Sequence, residues 1–117
     1  WEWAVRHRIV TEGPARGPWR NDLTPYLIGP MDAWDDPWIR EIYLCFAPQT
    51  GKTQVAYNCV AASVYRDWGP IFYVMPDEKV TKRMARRRIR PMFRLSPSLA
   101  ELLSTRVDDT TTLHIQL

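Results

Sequence analysis

The sequence contains no long apolar run. Nothing in it approaches the roughly 18 consecutive apolar residues that a membrane-crossing helix needs. No charged-then-apolar leader opens it, so neither a membrane partner nor secretion is expected. Cysteine is nearly absent. Cys45 and Cys59 are the two present, too few for a disulfide framework. Their spacing fits no zinc pattern, and His7 and His114 stand far from them in sequence. Both cysteines sit among apolar neighbours, which predicts buried, reduced thiols in a reducing compartment. An initiating Met is missing too. The opening "WEWAVRHR" starts in mid-stream, and the expectation is a piece of a longer protein. The 117 residues suffice for one domain whose core removes about two-thirds of the unfolded surface from water.

Negative charge is missing from one stretch. Residues 79–94 hold Lys79, Lys82, Arg83, Arg86, Arg87, Arg88, Arg90 and Arg94, half of the 16 Lys and Arg residues, with no acid among them. The net charge of +3 understates this asymmetry, which favours a polyanionic partner.

What is present falls into two parts. Residues 1–41 read as an irregular arm, rich in proline and glycine, with at most a short helix before Val10. A free linker rarely carries residues such as Trp1, Trp3, Trp19 and Tyr26, so the arm is expected to pack on the rest. "MDAWDDPWIRE" can start a short helix at an Asp cap, with Pro37 breaking it. From residue 42 to 117 the pattern changes. "EIYLCFA" suits a buried strand. "GKTQVAYNCVAASVYRDWG" spaces Val55, Cys59, Ala62 and Val64 with Tyr65 as a helix does, with Gly69 ending it. "PIFYVMP" is a second buried strand. Asp77 caps a helix reaching about Leu95, Ser96 or Ser98 caps a short one over "SLAELLS", and a β-hairpin around Asp108-Asp109 follows. Strand, loop, helix, strand, helix is the βαβ order. It predicts an α/β fold: a three-layer parallel sheet with a right-handed crossover.

The first strand runs into "CFAPQTGKTQVAYN". Gly51-Lys52-Thr53 is the ending of a phosphate-binding loop, whose full signature asks for a glycine where this chain has Phe46. Such a loop turns successive backbone N–H groups inward at a helix N-terminus. Lys52 would then be the catalytic lysine, placing its charge on the β- and γ-phosphates, and the Thr53 hydroxyl would be a ligand of Mg²⁺. The surrounding order, strand then loop then helix, is the required context. The plain alternative is an ordinary helix start.

"APQTGKT" resembles the shortened phosphate loop of the large terminase subunits of tailed bacteriophages, the motors that package viral DNA. "WAVRHRIV", "GPARGPW", "TPYLIGPMDAWDDPWIREIYLCFAPQTGKT" and "IFYVMPDEKVTKRMARRRIRPMFRLSPSL" resemble, in order, the N-terminal ATPase region of the lambda-like branch. The resemblance implies a P-loop, RecA-like ATPase that powers translocation of double-stranded DNA into a procapsid, using ATP and Mg²⁺. It implies that residues 42–117 are the first part of that domain and that the arm flanks the nucleotide. Carried over by position, Ala47, Pro48, Gln49, Thr50, Gly51, Lys52, Thr53 and Gln54 would cradle the triphosphate. Arg16, Trp19 and Arg20 would lie near the adenine. A homo-oligomeric ring, the portal and the small terminase subunit are the implied partners, and the host cytoplasm the implied place. The whole protein would also be an endonuclease.

Two departures stand out. Some terminases carry within the loop an arginine that reaches the γ-phosphate. Here Pro48 and Gln49 stand instead, and that charge would have to come from elsewhere, such as a neighbouring subunit. No apolar strand ends in Asp-Glu, the pair that would hold Mg²⁺ and activate water. Asp108-Asp109 reads as a turn and Asp77-Glu78 as a helix start. Hydrolysis is therefore expected to need residues beyond Leu117, and this piece alone to lack turnover.

On the helix that Asp77 starts, Lys79, Lys82, Arg83, Arg86, Arg87, Arg90 and Arg94 fall on one side at steps of three and four. Val80, Met84, Ala85 and Met92 fall largely opposite. The block is either a solvated face or a grip on DNA phosphates, insensitive to base sequence and sensitive to salt. Arg88 falls on the apolar side, where it would snorkel or reach a phosphate or carboxylate at a subunit interface. Tyr43, Phe46, Phe72 and Tyr73 are expected in the core, and Trp34 and Trp38 are expected to staple the arm to the sheet. Two rival readings remain. One is a helicase-like RecA-type ATPase outside packaging, and the other a DNA-binding or assembly module without turnover.

Overall fold

A computed structural model of the chain describes residues 1–103. The expected hairpin around Asp108-Asp109 lies outside the described residues. The order is helix α1 (Glu2–His7), strands β1 (Ile9–Val10) and β2 (Gly17–Pro18), two single 3₁₀ turns (Asn21–Leu23 and Pro25–Leu27) and helices α2 (Ile28–Asp35) and α3 (Lys52–Tyr65). Then come α4 (Glu78–Met84), a π-helical turn (Ala85–Ile89), α5 (Arg90–Leu95) and α6 (Pro97–Ala100).

Helix α3 lies at the centre, in contact with α1, α2 and α6. Its Val55, Tyr57, Cys59, Ala61 and Ala62 are all buried. Small side chains at 61–63 let neighbouring backbones approach. Trp34 of α2 donates its indole N–H to Ser63 Oγ at 2.9 Å, and Asn58 donates to the Met31 sulfur at 3.4 Å. At the far end His7 of α1 stacks on Tyr65, ring centroids 5.1 Å apart. The helix stops in a Schellman motif. Asp67 takes the left-handed conformation (φ 54°), Trp68 N–H donates to Ser63 O at 3.0 Å and Asp67 N–H to Val64 O at 3.1 Å. The stop therefore comes at Asp67, two residues before the expected Gly69.

The expected parallel sheet is absent among the described residues. Their one ladder is antiparallel, pairing Ile9 with Pro18 and Val10 with Gly17. The segments expected as strands do show burial of period two. Ile42, Leu44 and Phe46 are half-buried while Tyr43 is 81% exposed; Ile71, Tyr73 and Met75 are half-buried while Phe72 is 90% and Val74 87% exposed. What they lack is a neighbour. A strand is defined by the backbone that its N–H and C=O groups meet, and neither segment is paired in a ladder among the described residues. Tyr43 and Phe72 are thus not core residues here, and Cys45 is exposed. Cys59 is buried as expected, and burial pushes its thiol up to about 12.

Other local expectations met with mixed results. Asp77 caps α4, its carboxylate accepting from Val80 N–H at 2.8 Å. Helix α2 begins at Ile28 rather than at an Asp cap, with Pro30 in the first turn where a missing N–H costs nothing. Trp34 clamps onto α3, but Trp38 is 89% exposed and staples nothing. The single helix expected from Asp77 to Leu95 is widened at residues 85–89 into a π turn. Pro91 accounts for it: proline has no N–H for the carbonyl one turn earlier, and its ring crowds that carbonyl.

Ser96 precedes α6, yet its hydroxyl does not cap the helix. Instead it accepts the Ile9 N–H at 3.2 Å, tying β1 to the end of α5, and it is fully buried. The Ser98 hydroxyl is buried with no partner among the described residues. Ser96→Ala is therefore expected to lower unfolding free energy by about 1–3 kcal/mol, because a buried N–H loses its acceptor. Ser98→Ala is expected to stay within about 0.5 kcal/mol of the parent. Urea unfolding followed by circular dichroism distinguishes the two.

Candidate nucleotide site

The site begins with a helix that needs an unusual residue before it. Gly51 occupies the N-cap position of α3 at φ 92°, in the left-handed region. A Cβ there would lie 2.8 Å from Cδ1 of Leu27, a fully buried side chain. Gln49 is also left-handed, at φ 57°. Alternation of this kind turns successive N–H groups toward one point. No backbone acceptor meets the N–H groups of Gln49, Thr50 or Gly51 among the described residues, and the first turn of a helix leaves its own N–H groups unpaired.

The loop is braced from within and from the arm. Thr50 Oγ1 donates to Ala47 O at 2.7 Å, and the Tyr26 hydroxyl donates to Thr50 O at 3.1 Å. Lys52 Nζ donates to Phe46 O at 2.7 Å and Ala47 O at 2.6 Å. The ammonium is thus held by two carbonyls at the loop's root, which engages two of its three N–H donors. Thr53 is in the first turn of α3.

A cleft of about 470 Å³ opens between loop and arm. Gln49, Thr50, Gly51 and Gln54 line it from the loop side, Trp19 and Arg20 from the arm. Ala47, Pro48, Lys52, Thr53 and Arg16 do not line it. Arg16 is exposed near the tip of the turn after β1, its N–H donating to Gly13 O at 3.2 Å. Arg20 is engaged by Asp22 through two contacts, at 3.1 and 2.5 Å, which hold the Asp22 carboxyl below its ordinary range. The Trp19 ring is buried, with its indole N–H on Asn21 Oδ1 at 2.6 Å.

Glu12 in the cleft and Arg8 behind it were passed over by sequence reasoning, which expected Tyr26 only to pack and Arg88 to snorkel or to reach a phosphate or carboxylate at a subunit interface. Tyr26, Glu12 and Arg88 line the cleft. Arg88 Nε donates to Glu12 Oε2 at 3.1 Å, so Arg88 does reach a carboxylate, but one in its own chain. Arg8 is 2% exposed and meets no carboxylate among the described residues. It donates to Gln54 Oε1 at 3.2 Å and to Ile9 O. Burial lowers its pKa to about 10, which still leaves it cationic at neutral pH. Nothing in the sequence marked it, because its partner lies 46 positions away.

The basic helix is divided. Lys79 and Arg83 line one shallow groove, while Arg86, Arg90 and Arg94 line a second of about 370 Å³. The π turn between them changes the phase of the helix, which breaks the single stripe expected from uniform spacing. Lys82 is paired with Glu78, which stands one turn earlier and just outside the run. Arg87 is exposed. Among the described residues no group of three or more His, Cys, Asp or Glu could hold a metal ion, and no helix is long and apolar enough to cross a membrane.

A family model described as phage terminase large subunit gpA, ATPase domain, matches residues 13–116. No curated protein and no solved structure matches the chain.

The backbone at Gly51 supports a direct test. Gly51→Ala is expected to cost about 1–2 kcal/mol of stability, because a Cβ is disfavoured at positive φ and meets Leu27. Gly29→Ala, in α2 with open space around it, is expected to gain up to about 1 kcal/mol from helix propensity. Thermal or urea unfolding of the two variants checks the contrast.

Proposed function

From the premise that the chain belongs to the phage terminase large subunit ATPase-domain family, we propose that residues 47–54 and the adjoining cleft bind ATP for a viral DNA-packaging motor. The observation that carries this reading is the left-handed glycine at the start of α3 with Lys52 directly after it, opening on a cleft of nucleoside size. The donors present suit a magnesium polyphosphate: unpaired backbone N–H groups, an ammonium and a hydroxyl, with no carboxylate in the loop itself. Bound Mg-ATP would supply the phosphoanhydride whose cleavage drives the motor.

The chain's own residues have separable tasks in this reading. Lys52 trades two carbonyls for phosphate oxygens, an exchange favoured because a charge-assisted bond to an anion is the stronger one. Thr53 offers its hydroxyl toward the metal. Gln49, Thr50 and Gly51 bind through their backbones. Tyr26, about half exposed, offers aromatic surface to the base while its hydroxyl holds Thr50, and the buried Trp19 ring backs the cleft wall beside it. Arg8 fixes the Gln54 carbonyl oxygen, which leaves the Gln54 amide N–H₂ to donate into the cleft. Arg16, near the rim of the turn, and Arg20, already paired with Asp22, have lesser parts.

The exposed basic residues suit the polyanion that such a motor moves. Lys79, Arg83, Arg86, Arg87 and Arg94 face solvent without a carboxylate partner among the described residues, and contacts to phosphates alone serve a motor that must grip any sequence. Double-stranded DNA is the proposed partner, with a ring of copies, the portal and the small subunit completing the assembly.

Lys52→Ala is expected to weaken MgATP binding by about tenfold or more with little change in unfolding midpoint, as read by calorimetric titration. Unchanged affinity would reject the loop as the site. Charge reversal at Arg83, Arg86 and Arg94 is expected to reduce the salt dependence of duplex binding by about one phosphate contact each. Fluorescence anisotropy across a salt series measures it, and an unaltered slope would place the DNA elsewhere.

A further inference from the structure

Arg88 is the one member of the basic run that lines the nucleotide cleft, and it arrives there already occupied. Its Nε donates to Glu12 Oε2 at 3.1 Å, across 76 positions of sequence. Both side chains are about two-fifths exposed, at 40% and 42%, so the pair is a weak one, wet and open to competition. Glu12 lines the same cleft, as do Gln49, Thr50 and Gly51 of the loop. The other polar groups on which the Arg88 charge acts are the Tyr57 and Tyr73 hydroxyls. Burial pushes the Tyr57 phenol up to about 12, so it is neutral and no rival to a carboxylate. A cleft suited to a polyphosphate therefore holds a cation lodged on a carboxylate.

We propose that Arg88 is a further phosphate ligand of the nucleotide, held on Glu12 before nucleotide enters and transferred to a phosphate oxygen when it does. The assignment rests on the nucleotide reading of the loop given above. A phosphate brings more charge and more acceptor oxygens than one half-exposed carboxylate, and a guanidinium can meet it through two N–H groups. Glu12 is suited to release its partner. It precedes Gly13, whose φ of 87° marks a turn where the backbone has few steric restraints. Arg88 belongs to the π turn, whose other two arginines, Arg86 and Arg87, face outward. Exchange of its partner would therefore act on the segment that carries the exposed arginines, linking nucleotide occupancy to the grip on DNA.

The test is a double-mutant cycle on the intact chain, with MgATP and adenosine as probes. Glu12→Gln is expected to tighten MgATP binding about two- to fivefold, since it removes an internal competitor worth an exposed ion pair. Arg88→Ala is expected to weaken MgATP binding about tenfold, and the double variant to match Arg88→Ala alone. Adenosine, which has no phosphate, is expected to bind all four proteins equally. Arg88→Gln repeats the measurement should the alanine variant unfold. Weaker MgATP binding in Glu12→Gln, or an equal loss of adenosine and MgATP in the Arg88 variants, would overturn the proposal. So would Arg88 variants that bind MgATP like the parent. If MgATP binding depends on Lys52 while Glu12 and Arg88 have no effect, Arg88 alone loses its role. If Lys52→Ala also has none, the loop reading itself fails.

Discussion

Close packing around α3 is the constraint on which the rest of the molecule depends. A helix of 14 residues that is buried against α1, α2 and α6 must present small side chains where its neighbours cross it. Ala61, Ala62 and Ser63 meet that need. Ser63 also supplies a hydroxyl for Trp34 and a carbonyl for the Schellman stop. Because the C-terminal half of α3 is clamped by the arm, its N-terminal end is held in a fixed position relative to Leu27 and Tyr26. The loop that starts the helix inherits that rigidity, and a phosphate loop requires it: its N–H groups must converge before the anion arrives.

The candidate site is thus a joint between distant parts of the chain. Residues 47–54 make the loop, 12–27 the opposite wall and Arg88 the side. Two partly buried polar contacts hold the joint from behind, Arg8 to Gln54 and Ile9 to Ser96. Neither belongs to an ordinary helix or strand pattern, and each spans more than 40 positions. A buried guanidinium without a carboxylate is costly by itself. Beside the proposed nucleotide site it adds positive potential.

Local features were legible beforehand because their causes are local. Gly51-Lys52-Thr53 marked the start of α3, Asp77 marked the start of α4, and the text around the loop carried the family likeness. The sheet was not legible in the same way. Residues 42–46 and 71–75 have the alternation of half-buried strands, but a strand also requires a neighbouring backbone, and alternation says nothing about where that neighbour is. Cys45, Tyr43 and Phe72 were expected inside for the same reason, and without a facing layer they are outside. The π turn was missed because uniform 3.6-residue spacing was assumed through Pro91, a residue that forbids it.

The sequence by itself determined the Gly51-Lys52-Thr53 turn, the helix that follows it, the density of positive charge and the family, since each depends on residues within one turn or one short motif of each other. Tertiary structure decided which of those residues share a cleft. It put Trp19 and Arg20 there and left Arg16 outside. It split one basic stripe into two grooves and turned Arg88 away from its neighbours toward Glu12. It drew the Ser96 hydroxyl from a helix end to a strand. The physical reason is common to all of these: a side chain capable of several partners takes the one that folding brings within about 3 Å, and that distance is not written in sequence separation.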